Sequence, residues 1–282
     1  MGSAHTLAVV QARMAASRLP GKILRDIAGE PMLRRVVKRL QRAKTVDQVV
    51  VATTQDAADD ETEAFCQEHN YPCYRGSLHD VLDRTYQAAR LYRAAVIVRI
   101  TADCPLLDPQ LVDECVGAFT AQGAYDFVAN RLPPPWNRTY PIGLDTEVCA
   151  FAGLERAWKE AGEAHQREHV MPYFYEGIPV EALRPAPPPF QPGDRLEYIV
   201  TATSARGFRV GLFHHYPDYG SLRWTVDTTE DMELVRQVYA CFGGRDDFSW
   251  LQVLELFARK PELRQINSAV AHKHYRETDE RR

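Results

Sequence analysis

Short apolar runs alternate with amphipathic segments in the first part of the chain, and this alternation constrains the fold more than any other feature. The runs lie at 7–10, 48–53 and 95–100 and are rich in the β-branched and apolar residues typical of buried strands. Between them, residues 31–40 and 79–93 carry apolar side chains at helical spacing. Strands that alternate with helices predict an α/β fold with a mostly parallel sheet and helices on both faces.

The rest of the chain predicts further elements and one irregular region. Helices are expected at 59–69, after Asp108, at 151–162, at 167–176 and after Thr228, and strands at 73–74, 210–213 and 222–226. The proline-rich stretch 185–193 predicts a loop, because proline cannot donate the backbone hydrogen bonds of regular structure.

Composition limits the class of partner. The net charge of −4 over 282 residues argues against a nucleic-acid backbone or an anionic membrane surface as the partner. The six cysteines form no CxxC pair, which favours reduced thiols over a zinc site or a disulfide framework. No apolar run approaches the ~18 residues of a membrane span. We therefore expect a cytoplasmic protein with no nucleic-acid or membrane partner.

The first apolar run opens onto a basic loop with the sequence QARMAASRLPGK, residues 11–22. Arginine offers planar, bidentate donors to phosphate oxygens, and lysine offers a compact positive charge. Arg13, Arg18 and Lys22 therefore favour a site for a polyphosphate, although a solvated basic loop explains this stretch about equally well when it is taken alone.

Two carboxylates, Asp103 and Asp227, each follow a predicted strand. In parallel sheets, ligands lie beyond the carboxyl ends of the strands, and Mg²⁺ prefers oxygen ligands and retains waters and bound phosphates. Taken singly, Asp103 is typical of a turn and Asp227 of a helix cap. Together with the basic loop they predict a magnesium site for nucleotidyl transfer, with Arg13, Lys22, Asp103 and Asp227 as the catalytic residues.

Several motifs in a fixed order extend this prediction across the chain. They are QARMAASRLPGKIL (11–24), GEPML (29–33), RGSLHDVLDRTYQAA (75–89), VRITADCPLLDP (98–109), YPIGLDTEV (140–148), REHVMPY (167–173) and RWTVDTTEDMELV (223–235). In this order they resemble the cytidylyltransferases of the 3-deoxy-manno-octulosonate and acylneuraminate superfamily, most of all the branch of spore-coat polysaccharide synthesis.

The resemblance implies a Rossmann-like, GT-A-like nucleotidyltransferase. A single domain would cover 1–282, with 130–221 as an inserted lobe for the acceptor and for dimerisation, and the protein would be a homodimer. The implied reaction joins CTP to an acidic sugar or related acceptor with Mg²⁺ as cofactor. It gives a CMP conjugate and pyrophosphate, in the biosynthesis of glycans or surface polysaccharides.

The resemblance also implies roles for individual residues. The nucleotide would contact Gln11, Ala12, Arg13, Arg18, Lys22, Arg75, Gly76 and Ser77. The acceptor would contact Tyr140, Asp145, Glu147, Arg167, His169 and Trp224. Asp103 and Asp227 would be the Mg²⁺ ligands. Other interpretations stay open, since Ser77 is also typical of a loop serine, Trp224 of a core residue and His169 of a packing residue.

Three alternative functions follow from the same residues. The second choice, after the acidic sugar, is cytidylyl transfer to a phosphonate or a sugar phosphate, because related branches of the family differ in their acceptor. Residues 186–221 also depart from the family pattern and leave the acceptor open. A glycosyltransferase is disfavoured, since 101–108 hold no Asp-x-Asp motif. An inactive nucleotide-binding scaffold is disfavoured because Lys22, Asp103 and Asp227 are all present.

Overall fold

A computed structural model describes residues 5–121, 125–136, 138–186, 189, 191 and 195–271. Over these residues the chain builds an eight-stranded sheet in the order β5-β4-β1-β6-β8-β7-β10-β9. Its strands are β1 (Thr6–Gln11), β4 (Gln48–Thr54), β5 (Cys73–Gly76), β6 (Val96–Thr101), β7 (Phe127–Ala129), β8 (Glu147–Ala150), β9 (Leu196–Thr203) and β10 (Arg209–Tyr216). The short strands β2 (Asp26–Ile27) and β3 (Glu30–Pro31) form a separate hairpin.

Helices connect and cover the strands. They are α1 (Met32–Leu40), α2 (Asp60–Glu68), α3 (Val81–Leu91), α4 (Pro109–Ala121), α5 (Phe151–Glu160), α6 (Ala164–His169), α7 (Pro172–Tyr175), α8 (Thr229–Cys241) and α9 (Trp250–Arg259). In the part of the chain that the structure describes, no helix has the length and apolarity needed to cross a bilayer.

The predicted α/β fold is confirmed. Strands β5, β4, β1 and β6 pair in parallel, and β7 pairs in parallel with β10. Strand β8 runs antiparallel between β6 and β7, and β9 runs antiparallel to β10 at the edge of the sheet. The result is a mixed, mostly parallel sheet.

Alternate residues of β1 pack into two separate hydrophobic cores. Ala8 and Val10 pack into a core that includes α1, α4, α8 and α9. Leu7 and Val9 face the opposite side, in a core that includes α3, α5 and α7. Successive side chains of a strand point to opposite faces, so a strand covered on both sides reads as one continuous apolar run.

Two predicted elements are wrong in detail. The predicted strand 222–226 makes a single isolated bridge, Ile142↔Arg223, because its backbone bonds to two different loops. The N–H of Trp224 donates to the carbonyl of Ile142 (2.6 Å), and that of Val226 donates to the carbonyl of Asp103 (2.8 Å). The predicted helix 167–176 is divided into α6 and α7, where Val170 takes a left-handed φ of 70° just before Pro172.

The segment 130–221 belongs to the main sheet. It contributes β8, which lies between β6 and β7, and the hairpin of β9 and β10 at one edge. Its expected roles in binding an acceptor and in forming a homodimer stay predictions, as does a single domain over 1–282.

A buried arginine joins α1 to the segments that precede α4 and α9. The side chain of Arg39 in α1 is fully buried, and it donates hydrogen bonds to the carbonyls of Leu107 (2.6 Å), Asp246 (3.0 Å) and Phe248 (2.9 Å). Its guanidinium also lies over the ring of Phe248, at 4.2 Å from the ring centroid. Burial lowers the pKa of this arginine.

We expect Arg39→Leu to reduce the free energy of unfolding by about 3 kcal/mol, because three carbonyls lose their buried donor. Chemical denaturation measures this loss. Arg42→Leu, at an exposed position near the end of the same helix, is the control and should change stability by less than about 0.5 kcal/mol. Equal effects of the two substitutions would contradict the role given to Arg39.

Candidate active site

A cavity of about 340 Å³ opens at the carboxyl ends of the parallel strands. Its wall comes from the end of β1, the basic loop, the start of α3, the end of β6 and Asp227. A second compartment of about 180 Å³ adjoins it and shares Arg99, Thr101, Asp103, Arg131, Glu147, His169 and Asp227 with it. The site is therefore two connected spaces at one edge of the sheet.

The basic loop is held in place by a buried carboxylate. Asp59, which is 1% exposed, accepts hydrogen bonds from the backbone N–H of Met14 (2.8 Å) and from the hydroxyls of Thr54 and Thr62. At the far end of the loop, Gly21 has a φ of 69° and donates to the carbonyl of Met14 (2.9 Å). Glycine suits this left-handed conformation, which turns the chain towards Lys22.

The ammonium group of Lys22 lies between the two predicted metal ligands. Its Nζ donates to Asp103 Oδ2 (2.9 Å), to Asp227 Oδ1 (3.0 Å) and to the carbonyl of Val226 (2.7 Å). These bonds use all three of its hydrogens. Burial alone would lower the pKa of Lys22, but the charges of Asp103 and Asp227 outweigh burial and raise it.

Asp227 is surrounded by cations. Its other oxygen, Oδ2, lies 2.7 Å from Arg18 and 2.7 Å from Arg223. Burial would raise the pKa of Asp227, but the charges of Lys22 and Arg18 and the hydrogen bonds from Lys22 and Arg223 lower it well below its usual range.

A buried network fixes the direction of Asp227. Asp231, fully buried, accepts from Arg223 Nε (2.9 Å), from the backbone N–H of Asp227 (2.9 Å) and from Asn267 Nδ2 (2.8 Å). It also forms a capping box with Thr228 at the start of α8. The C-terminal segment thus reaches back, through Asn267, to support the site.

The two carboxylates fit a divalent cation. Asp103 and Asp227 come from different loops, yet one oxygen of each lies within 3.0 Å of the same positive charge, the Lys22 ammonium. No group of three or more His, Cys, Asp or Glu residues with metal-binding geometry occurs in the described ranges. A two-carboxylate site leaves the remaining positions for water and phosphate, which is the usual pattern for Mg²⁺. Asp103 and Asp227 would therefore hold such an ion.

Two arginine–carboxylate pairs line the second compartment. Arg99 of β6 pairs with Glu147 of β8, directly across the strand register. Arg131 Nε donates to Asp145 Oδ2 (2.8 Å). Burial would lower the pKa of Arg131, but the charges of Asp145 and Glu147 raise it. Both guanidinium groups line the compartment that also contains Asp103 and Asp227.

The structure brings five of the eight predicted nucleotide residues to the cavity wall: Gln11, Ala12, Arg13, Arg18 and Lys22. Arg75 is not among the lining residues, because its guanidinium bonds to the carbonyl of Thr54 (2.8 Å) and to Glu63 (2.8 Å).

Gly76 and Ser77 contact Arg84 and do not line the cavity themselves. A Cβ on Gly76 would lie 2.9 Å from the side chain of Arg84, and the carbonyl of Ser77 accepts from Arg84 (2.6 Å). The two residues therefore position Arg84, which does line the cavity, and neither is itself in the wall.

The structure separates the predicted acceptor residues into two groups. Asp145, Glu147 and His169 line the second compartment. Tyr140 and Trp224 are fully buried in the core, where Tyr140 packs on Trp250 and Trp224 packs on Phe257. Trp224 is therefore a core residue, and the same correction applies to Tyr140.

Arg167 also lies away from both compartments. Its Nε donates to Asp80 (2.9 Å) and its NH1 donates to the carbonyl of Trp158, so it joins α6 to the start of α3. In this structure the guanidinium of Arg167 pairs with a carboxylate of the protein itself, and not with the cavity.

Sequence reasoning missed three cations of the wall: Arg84, Arg99 and Arg131. Arg99 had a visible signal, since a charged residue in the apolar run 95–100 needs a partner when the strand is buried. Burial and the neighbouring charge of Arg13 lower the pKa of Arg84 to about 10. Arg131 follows β7 by two residues and carries no signal of its own.

A glycine brings the two halves of the second compartment together. Gly143 has a φ of 104°, and a Cβ there would come within 2.5 Å of the backbone N of Thr225. This close contact lets the loop that carries Asp145 pack directly against the segment that carries Asp227.

Comparison with known proteins shows which proteins this chain is similar to. The cytidylyltransferase family model matches residues 7–184. The spore coat polysaccharide biosynthesis protein SpsF of Bacillus subtilis is 30% identical over 91% of this chain and 95% of its own length. A 3-deoxy-manno-octulosonate cytidylyltransferase of Anaeromyxobacter dehalogenans is 29% identical over 84% of this chain and 98% of its own. The solved structure of a cytidylyltransferase from Leptospira borgpetersenii superposes with a TM-score of 0.78 at 29% identity, over 95% of this chain and all of that one.

We expect Asp59→Ala to weaken CTP binding at least about 10-fold and to reduce stability by about 2 kcal/mol, because the basic loop loses its buried anchor. Calorimetric titration with CTP and chemical denaturation measure the two effects. Asp60→Ala removes the neighbouring exposed carboxylate and is the control, with CTP affinity unchanged. Wild-type affinity in Asp59→Ala would show that the loop holds its shape without this anchor.

Proposed function

Because the chain belongs to the cytidylyltransferase family, we propose that it transfers CMP from CTP to an acidic sugar, with Mg²⁺ as cofactor and pyrophosphate as the second product. We place the reaction in glycan or surface-polysaccharide biosynthesis. The observation that carries the acidic acceptor is the presence of Arg99 and Arg131 in a compartment that adjoins Asp103 and Asp227.

The basic loop suits the triphosphate. CTP carries about four negative charges at neutral pH, and Arg13, Arg18 and Lys22 all line the cavity. Arg18 and Lys22 bond to carboxylates in this structure, so the arriving phosphates compete for cations that are already positioned. In the reaction, an acceptor oxygen attacks the α-phosphorus while the bond to the bridging oxygen of the β-phosphate breaks, and pyrophosphate leaves.

Asp103 and Asp227 would hold the magnesium ion. When bound, Mg²⁺ neutralises phosphate charge and polarises the phosphorus–oxygen bonds. The chain's own contribution is geometric. Lys22 keeps the two carboxylates at one point, and Asp231 directs Asp227 towards it.

The second compartment suits an acidic, hydroxylated acceptor. A guanidinium presents a planar fork of donors that matches a carboxylate, and carboxylate oxygens accept from sugar hydroxyls. The Arg99–Glu147 and Arg131–Asp145 pairs supply both kinds of group at one wall. The names of the relatives from Bacillus and Anaeromyxobacter support a sugar-acid acceptor and a polysaccharide pathway.

The same guanidinium groups also suit a phosphonate or a sugar phosphate, since arginine binds phosphate oxygens with the same fork. The test is a panel of 2-keto sugar acids, phosphonates, sugar phosphates and matched neutral sugars, each incubated with the full-length protein, CTP and Mg²⁺. Pyrophosphate release should require an anionic acceptor and CTP. Equal turnover of a neutral sugar, or no release with any acceptor, would overturn the proposal.

We expect Asp103→Asn and Asp227→Asn each to lower kcat by at least about 1,000-fold, because one anionic ligand of the metal is lost. Calorimetric titration with Mn²⁺ should show weaker metal binding, and near-wild-type circular dichroism would exclude unfolding. Asp247→Asn, at an exposed position, is the control and should retain full activity. Full activity in either site variant would end the metal assignment.

We expect Lys22→Met to weaken binding of CTP more than binding of CMP, by at least about 10-fold, because the lysine charge acts on the β- and γ-phosphates. Methionine keeps the length of the buried side chain. Titration of the variant with each nucleotide gives the two dissociation constants. Equal weakening for CTP and CMP would move Lys22 away from the terminal phosphates.

A further inference from the structure

Part of the main cavity wall is formed by uncharged residues, although the cations Arg13 and Arg84 line the same cavity. Gln11, the last residue of β1, lines this part together with Ala12 and with Val81 at the start of α3. The cations Arg18 and Lys22 lie on the same wall but at the Asp103–Asp227 centre. We expect the triphosphate at the Asp103–Asp227 centre, where Arg18 and Lys22 lie, which leaves the part of the wall around Gln11 for the nucleoside.

The amide of Gln11 is held in one orientation by Thr85. Gln11 Nε2 lies 2.9 Å from Thr85 Oγ1, and Thr85 Oγ1 lies 2.8 Å from the carbonyl of Val81. Thr85 is fully buried. A hydroxyl has a single hydrogen, and a carbonyl can only accept, so that hydrogen goes to Val81. The Thr85 oxygen must then accept, and the group of Gln11 that faces it must be the NH₂.

This chain of two hydrogen bonds fixes the polarity that Gln11 presents to a ligand. With Nε2 directed at Thr85, the carbonyl oxygen Oε1 is at the other corner of the planar amide. Within the described residues, Oε1 has no hydrogen-bond partner. The cavity is therefore offered an acceptor at this point. If the amide turned over, the hydrogen bond from Nε2 to Thr85 would be lost and two acceptor oxygens would face each other.

We propose that Gln11 is the residue that selects cytosine, by accepting a hydrogen bond from the 4-amino group of the base, and that Thr85 is its positioning residue. Cytosine carries a donor at this position and uracil carries an acceptor, so a fixed acceptor binds the first and repels the second. The inference rests on the proposed use of CTP and names the group that makes the choice.

The first test compares CTP with UTP. Steady-state kinetics with each nucleotide, at a saturating acceptor, give kcat/KM for the wild type and for Gln11→Leu. The wild type should prefer CTP by at least about 100-fold, and Gln11→Leu should lower this ratio at least 10-fold. Gln67→Leu, at an exposed position on α2, is the matched control and should keep the wild-type ratio.

The second test removes the partner that holds the amide. In Thr85→Val the amide is free to turn and offer its NH₂ to uracil, so the CTP/UTP ratio should fall at least 5-fold, chiefly through a gain in kcat/KM for UTP. A residue with only a structural role would lower both values together. Thr120→Val is the matched control, because Thr120 makes the same bond to the carbonyl four residues earlier, on the exposed side of α4.

The third test removes the amino group from the ligand. Binding of CTP and of its 4-deamino analogue is titrated without acceptor. The wild type should lose at least 10-fold affinity for the analogue, and Gln11→Leu should bind both ligands equally. If Gln11→Leu instead weakened the binding of CTP and of the analogue by the same factor relative to the wild type, Gln11 would contact the ribose and the proposal would be overturned. A wild type that releases pyrophosphate equally well from CTP and UTP would also overturn it while leaving nucleotidyl transfer intact. Failure to release pyrophosphate from any nucleotide would instead contradict the proposed function.

Discussion

The bond of one lysine to two aspartates organises the site. Lys22 comes from the loop after β1, Asp103 from the loop after β6 and Asp227 from the segment before α8, and the lysine ammonium lies within 3.0 Å of an oxygen of each carboxylate. Two carboxylates that share one partner in a partly buried site repel each other, and the ammonium between them offsets that repulsion. The same charge holds one oxygen of each carboxylate at a common point. The site is therefore assembled before any ligand arrives, at the cost of using cations that a triphosphate will also need.

Local periodicity was enough to predict most of the sheet. Strands β1, β4 and β6 are covered on both faces, so their apolar runs are visible in the sequence, and the helices between them show their apolar stripes. The segment 222–226 has the same composition but forms no strand. Its hydrogen bonds go to Ile142 and Asp103, which are distant in sequence, and no local pattern records such partners. Composition indicates that a segment is buried, whereas the identity of its neighbours decides whether it becomes a strand.

In the candidate site, too, the sequence predicted the residue types but not which residues contact each other. Position at a strand end and residue type were enough to predict Lys22, Asp103 and Asp227 as one group. Their pairing was not predictable, because Lys22 meets partners 81 and 205 residues away. Tyr140, Trp224 and Arg167 lie in the same motifs as true wall residues, yet they pack in the core or pair with Asp80. A motif marks the stretch that matters, and only the fold shows which of its side chains reach the ligand.

The reversed direction of β8 has a consequence for how this site diversifies. The nucleotide residues stand at the ends of parallel strands, whereas Glu147 stands at the beginning of an antiparallel one, with Asp145 just before it. The loop before β8, which carries Asp145, is therefore not one of the loops that connect a parallel strand to the following helix. The length and sequence of this loop can therefore vary without changing the strand–helix connections of the parallel part of the sheet. If the proposed function holds, exchange of this one connection would change the proposed acceptor wall and leave the proposed nucleotide residues in place.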